Sequence, residues 1–392
     1  MYDYFPQRNY NRTTIFSVSR IQADKEAWMS ASADTETGFF ENMNAGEFGM
    51  RGTILVGTAS QGILRSVDDG ATWHRLGLKE AIEFDGVVRS VVVHPQDPSI
   101  VLAGADGGLC ISKDGGAHFS LIDSPMNGQT VWSIAIDPAN PSYIYAGTGA
   151  PSRAALFRSK DDGKSWERLS PEIPEFCQGV NRPRILTICI DPVDTAQVWF
   201  GVEEGGAWRS FDHGDSWTRI DQDGGITNSD IHAIAILPPV EDKPGVAFVL
   251  TVNSVFTSTD GGRAWTGVPS RPRFDGMYYT RTVQPLPDSD VLMLAIGDGT
   301  PGTRSKLYRS VDRGVTWSAS LLHSMPNSTF WAFGMHPADP QLLFAGTKYG
   351  DLFRSLDGGV SWFKEWRSFP EITAIAWTPF EAPVKAHPQS IA

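Results

Sequence analysis

Arg89, Trp132, His232, Arg281 and Trp331 are the residues of this chain best suited to chemistry, and they share one position. Each lies six residues before one of Pro95, Pro138, Pro238, Pro287 and Pro337; the same step back from Pro192 and Pro379 gives Leu186 and Thr373. Paired arginines suit a carboxylate or phosphate, because each guanidinium fork donates two parallel hydrogen bonds. A tryptophan face suits a sugar or an aromatic ring, and a histidine can take a proton near neutral pH. Positions that only fill space would be small or aliphatic, as Leu186 and Thr373 are. The set reads as a binding surface.

Other reactive side chains stand beside these positions. Arg184, Tyr278 and Tyr279 come just before two of the strands concerned, and Glu203 and Asp298 fall in loops at the same end. The expected roles are substrate binding for Arg89, Trp132, Arg184, Arg281 and Trp331, and catalysis for His232, Tyr278, Tyr279, Glu203 and Asp298. Two carboxylates that face each other can divide acid and base work, as Glu203 and Asp298 would. Structural readings stand next to these. Arg89 and Arg281 would only neutralise Glu203, Asp298 and Glu371 across a polar channel, Trp132 and Trp331 would plug it, and His232 would be a hydrogen-bonded core residue. A metal site needs roughly three or four ligands. The aligned positions hold one histidine, so neither metal nor cofactor is expected.

The elements that must position these residues are written into a repeat. The pattern Ser-x-Asp-x-Gly-x-x-Trp starts at Ser66, Ser112, Ser159, Ser210, Ser258, Ser310 and Ser355, with Phe119 in place of the tryptophan in the second copy. Successive starts are 46, 47, 51, 48, 52 and 45 residues apart. Before each copy an apolar run closes on a glycine or small residue (Ile54 to Gly57, Val101 to Gly104, Leu343 to Gly346), and a second strand leads into the turn. A strand leaves the tryptophan, and a loop then reaches the next first strand. Those first strands are expected at Val88 to Val93, Val131 to Ile136, Ile185 to Ile190, Ile231 to Ile236, Thr280 to Leu286 and Phe330 to Met335.

Four short strands per unit and no helix-period segment predict an all-β chain forming a single seven-bladed β-propeller. The first repeat lacks its own first strand, while Glu371 to Pro379 is such a strand with no repeat after it. The C-terminal strand is therefore expected to complete the first blade and close the ring, removing an exposed edge. The expected boundaries are an N-terminal arm or lid over 1–50, the propeller over 51–380 and a tail over 381–392. Within each turn the aspartate can accept N–H groups two or three residues on, the glycine supplies a positive φ, and the tryptophan buries its ring. Copies spread around a periphery cannot converge on one substrate, so the turn is structural.

The bulk composition narrows the partners. A net charge of −12 excludes a general nucleic-acid or anionic-membrane surface. No window supplies the roughly 18 uncharged apolar residues of a membrane helix. Cys110, Cys177 and Cys189 are odd in number and form no CxxC, which argues against a disulfide framework or a zinc site. Met1 to Arg8 carries no apolar run of a signal peptide, so a cytoplasmic protein is expected.

The repeated turn, over about residues 54–366, resembles the Asp-box or BNR family. That family includes sialidases, xyloglucan-cleaving glycosidases, sortilin-type receptors and seven-bladed photosystem II assembly factors, whose members share the turn and not the activity. The arginines beside Tyr278 and Tyr279 look like the sialidase arrangement, in which an arginine cluster grips a carboxylate. Sialidases, however, are six-bladed and carry an Arg-Ile-Pro element that is missing here. The double-propeller glycosidases use a cleft between two propellers, and this chain has one. Two functions follow as expectations. One is a hydrolase or lyase acting on a small anionic molecule in the axial funnel. The alternative is a non-enzymatic module that holds a protein partner, as the assembly factors do.

Overall fold

Strands that are apolar along their whole length must be covered on both faces, and this chain has one such strand per repeat. Gly52–Thr58, Val101–Ala105, Ile144–Thr148, Val198–Val202, Val246–Thr251, Leu292–Gly297 and Leu343–Thr347 are buried at every residue. The outermost strands are short and mostly exposed, as at His74–Arg75, Ser120–Leu121 and Glu167–Arg168. The computed structural model describes residues 52–76, 86–221 and 224–379. The expected arm over 1–50 and tail over 381–392 lie outside the described residues.

The described strands form seven antiparallel sheets arranged as the blades of a β-propeller. Six have four strands, and in five of these the strands follow sequence order from the axis outward. In the last blade a short strand, Leu321–Leu322, adds in parallel to the outer strand Ser361–Ser368 as a fifth member. The first blade is closed as the sequence predicts: Ile372–Pro379 pairs with Gly52–Thr58 and supplies the innermost strand. The other innermost strands are Val88–Val93, Val131–Ile136, Ile185–Ile190, Ile231–Leu237, Tyr279–Pro285 and Phe330–Gly334. Among the described residues no helix is long and apolar enough to cross a membrane.

The glycine that ends the apolar runs has a packing reason. A Cβ at Gly147 would lie 2.6 Å from a methyl of Ile185, and one at Gly201 would lie 2.5 Å from a methyl of Ile231. In both cases the neighbour belongs to the next blade's innermost strand. The missing side chain lets adjacent blades converge toward the axis.

The repeated turn fastens blades as well as closing on itself. In the first copy Ser66 Oγ donates to Asp68 and accepts the Gly70 N–H at 2.8 Å, and Asp68 accepts the Thr72 N–H at 2.8 Å. The aspartate thus reaches four residues on, further than the two or three expected. The Trp73 indole donates to the Gly70 carbonyl at 3.0 Å, an anchor that recurs at Trp166, Trp317 and Trp362. An arginine one residue before the serine reaches the next blade's turn. Arg158 donates to the His213 carbonyl and to Asp215, Arg309 to the Gly358 carbonyl, and Arg354 to Asp69 across the closure.

All seven turn aspartates have pKa values below the ordinary carboxylate range. For Asp161, bonds from Ser165 and Ser159 lower it to about 2. For Asp114 and Asp212 burial pushes upward, but hydrogen bonds from His118, and from Ser216 and Ser210, outweigh it and leave both at about 2. Unfolded aspartate titrates near ~3.9. A depressed folded value stabilises the fold above that pH and loses its contribution as pH falls through the folded value. The melting temperature should therefore hold down to about pH 4 and drop between about pH 4 and 2. Circular-dichroism melts across that range check this, and a melting temperature flat down to pH 2 contradicts it.

Candidate functional site

A propeller's axis is lined by its innermost strands, and here each of them carries an irregularity at the same place. Val88 pairs with Ala105 and Ser90 with Gly104, which leaves Arg89 as an extra residue opposite no partner. The same shift isolates Trp132, Leu186, His232, Arg281 and Trp331 in five further blades, and Thr373 in the closing strand. A β-bulge of this kind bends the strand and re-aims one side chain. All seven bulge residues line an axial channel of about 1870 Å³.

Four of the bulge residues, joined by Arg184 and Lys348 from outside the bulges, form two groups of cations and tryptophans at one end of the channel. In the first, the Arg89 guanidinium lies 4.2 Å and that of Arg184 5.0 Å from the centre of the Trp132 ring. In the second, Arg281 lies 3.8 Å and the Lys348 ammonium 4.3 Å from the centre of the Trp331 ring. Cations over an indole face are attracted by its quadrupole. Both tryptophan rings therefore already carry cations, and Trp132 is fixed further by its Nε1–H, which donates to the Ala150 carbonyl at 2.9 Å.

Three of the four cations have a carboxylate. Arg89 Nε pairs with Asp106 at 3.3 Å, Arg184 with Glu203, and Lys348 with Glu371. Arg281 has no ion-pair partner among the described residues, and its Nε is buried without an acceptor. Burial lowers its pKa against the pull of Tyr279, Glu203 and Asp230. Burial likewise lowers Lys348, opposed by Glu371 and reinforced by the positive charge of Arg281 and Arg89.

His232 is 5% exposed and lines the channel between these groups. Its Nδ1 lies 2.7 Å from the Thr280 carbonyl, an acceptor, so this nitrogen carries the proton. Its Nε2 lies 3.6 Å from Asp230 Oδ1, beyond hydrogen-bond range, and that oxygen is buried with no hydrogen-bond partner. Tyr279 packs its ring 5.0 Å from His232 and 6.3 Å from Trp331, near-parallel to the indole at 15°. Burial raises the Tyr279 pKa.

Of the residues expected at the site, Arg89, Trp132, Arg184, Glu203, His232, Tyr279, Arg281 and Trp331 line the channel. Tyr278 and Asp298 do not. Tyr278 is adjacent to Tyr279 in the chain and receives the Arg271 guanidinium 4.6 Å over its ring. Asp298 closes its own loop, accepting the N–H groups of Thr303 at 2.8 Å and Arg304 at 3.1 Å. Burial pushes its carboxyl up, but those bonds prevail and hold it at about 2. The expected Glu203–Asp298 pair is therefore not formed, and Arg184 is the partner of Glu203. Lys348, Glu371 and Asp106 also take part; their charge and loop placement are the sequence signal, and Glu371, expected to neutralise Arg89 and Arg281, pairs with Lys348 instead. Among the described residues no cluster of three His, Cys, Asp or Glu could hold a metal ion.

No protein-family model matches the chain. The six curated proteins that match it are all named xyloglucanases. The xyloglucanase of Hypocrea jecorina (strain QM6a) is 25% identical over 339 residues, covering 74% of this chain and 40% of its own length. The chain thus spans about two fifths of the length of that relative. Among solved structures, the GH74 enzyme of Niastella koreensis has a TM-score of 0.57 at 19% identity, covering 71% of this chain and 45% of that one. YCF48 of Cyanidioschyzon merolae has a TM-score of 0.50 at 15% identity, covering 73% of this chain and 87% of that one. These two likenesses show the propeller fold. The small anionic partner expected from the arginines is overturned by the relatives, whose names specify xyloglucan, a polymeric carbohydrate. The structure supplies the physical reason: three of the four cations are already neutralised.

The charge arrangement has a consequence for stability. Arg184→Met strands Glu203 at a site where the two side chains are 27% and 17% exposed, and should cost about 1–3 kcal/mol. Arg281→Met removes a half-buried cation with no ion-pair partner among the described residues, and should leave stability unchanged or raise it. Urea titrations of both variants check this. An equal loss in the two contradicts the reading of Arg281 as uncompensated.

Proposed function

We propose that this chain is a glycoside-hydrolase-type propeller that acts on a polysaccharide, gripping it at the channel end where Arg89, Arg184, Arg281 and Lys348 converge. The observation that carries this reading is the match to xyloglucanases over about three quarters of the chain, 74% for the Hypocrea jecorina protein. Hydrolysis adds water across a glycosidic bond, with the proton going to the leaving oxygen and the hydroxyl to the anomeric carbon. That chemistry uses two carboxyl groups in acid and base or nucleophile roles. Glu203, Glu371 and Asp230 stand at this end. Glu203 and Glu371 are each tied to a cation, while Asp230 keeps a carboxylate oxygen free of hydrogen bonds.

Reducing-end release from xyloglucan and other β-glucans, measured beside retardation of the protein in gels containing each polysaccharide, tests the reading. Wild-type protein should be retarded by xyloglucan and release reducing ends. Two of the three variants Asp230→Asn, Glu203→Gln and Glu371→Gln should lose on the order of 10²–10⁴-fold in rate. Hydrolysis that persists unchanged in all three removes the chemistry from this site. Absence of both binding and hydrolysis across the panel overturns the glycan reading.

A further inference from the structure

We infer that Arg281 and His232 form a subsite in the channel for one neutral, hydroxyl-bearing sugar unit; the inference rests on the glycan reading above and names the chemistry of its substrate. An unmet hydrogen-bonding need lies here, the Arg281 Nε–H being buried without an acceptor. Arg281 lies over Trp331 with no carboxylate beside it among the described residues, and its guanidinium lines the channel. His232 donates from Nδ1 to the Thr280 carbonyl, which leaves Nε2 as the ring nitrogen a ligand can meet, an acceptor whenever the ring is neutral. Asp230 Oδ1, at 3.6 Å, does not satisfy that nitrogen. A buried donor with no acceptor is costly, and a ligand oxygen that supplies one offsets the cost.

The two residues are neighbours. Thr280, which anchors His232, immediately precedes Arg281, and Tyr279 bridges the His232 and Trp331 rings. The channel therefore holds Arg281 as a donor and His232 Nε2 as a ring nitrogen at equivalent bulges of neighbouring innermost strands. A hydroxyl fits both, since its oxygen accepts from Arg281 while its proton goes to Nε2. A carboxylate has no proton to give, and the charges of Asp230 and Glu203 acting on Arg281 would oppose it. Pyranose rings bearing adjacent hydroxyls match this arrangement.

The test is titration calorimetry with neutral xyloglucan oligosaccharides and with oligogalacturonates of equal length. It is joined by NMR of protein carrying ¹⁵N-labelled histidine. The neutral sugars should bind, the charged ones should bind at least about tenfold more weakly, and Arg281→Met should weaken the neutral sugars about tenfold. The His232 Nε2 resonance should move on saturation, a readout that needs no substitution in the buried strand. Tighter binding of oligogalacturonate overturns the subsite. So does binding of the neutral sugar with Nε2 unmoved and Arg281→Met unaffected, a result that leaves the glycan reading in place. No binding of xyloglucan in any form removes both.

Discussion

One extra residue in each innermost strand decides what this propeller shows to its axis. A regular strand alternates its side chains between the two faces of its blade, and neither face looks along the axis. The bulge breaks that alternation and turns one side chain inward, blade after blade. Leu186 and Thr373 fill two of these positions, and Arg89, Trp132, His232, Arg281 and Trp331 fill the rest. Arg184, Glu203, Lys348 and Glu371 join these large polar and aromatic side chains from positions outside the bulges.

The outer part of the ring holds the inner part in register. The Ser-x-Asp-x-Gly-x-x-Trp turn locks the end of each blade, and in three blades the arginine before it reaches into the next blade's turn. At the closure this link runs from Arg354 to Asp69, alongside the pairing of the first and last strands. Glycines such as Gly147 and Gly201 let the inner strands approach.

The blade count, the closing strand and the inner-strand positions were legible because each depends on local residues repeated at near-constant spacing. Strand ends differ by a residue or two, as where Tyr279–Pro285 replaces the expected Thr280 to Leu286. The spacing from each proline located Arg281 and His232 without revealing the bulge that turns them inward, since a bulge is a property of pairing between strands. Charge partners were not legible, because loops that meet only in the folded ring set them. Asp298 looked available for chemistry and is committed to Thr303 and Arg304. Arg89 looked free for an anion and belongs to Asp106. A list of cations without their partners suggested a small anionic ligand, and the partners remove most of that suggestion.

A crystal structure of the protein soaked with a neutral xyloglucan oligosaccharide tests the account most directly. It predicts sugar density in the axial channel, with a hydroxyl in contact with Arg281 or His232. Density confined to the outer edges of the blades, with the channel holding only solvent, would contradict it.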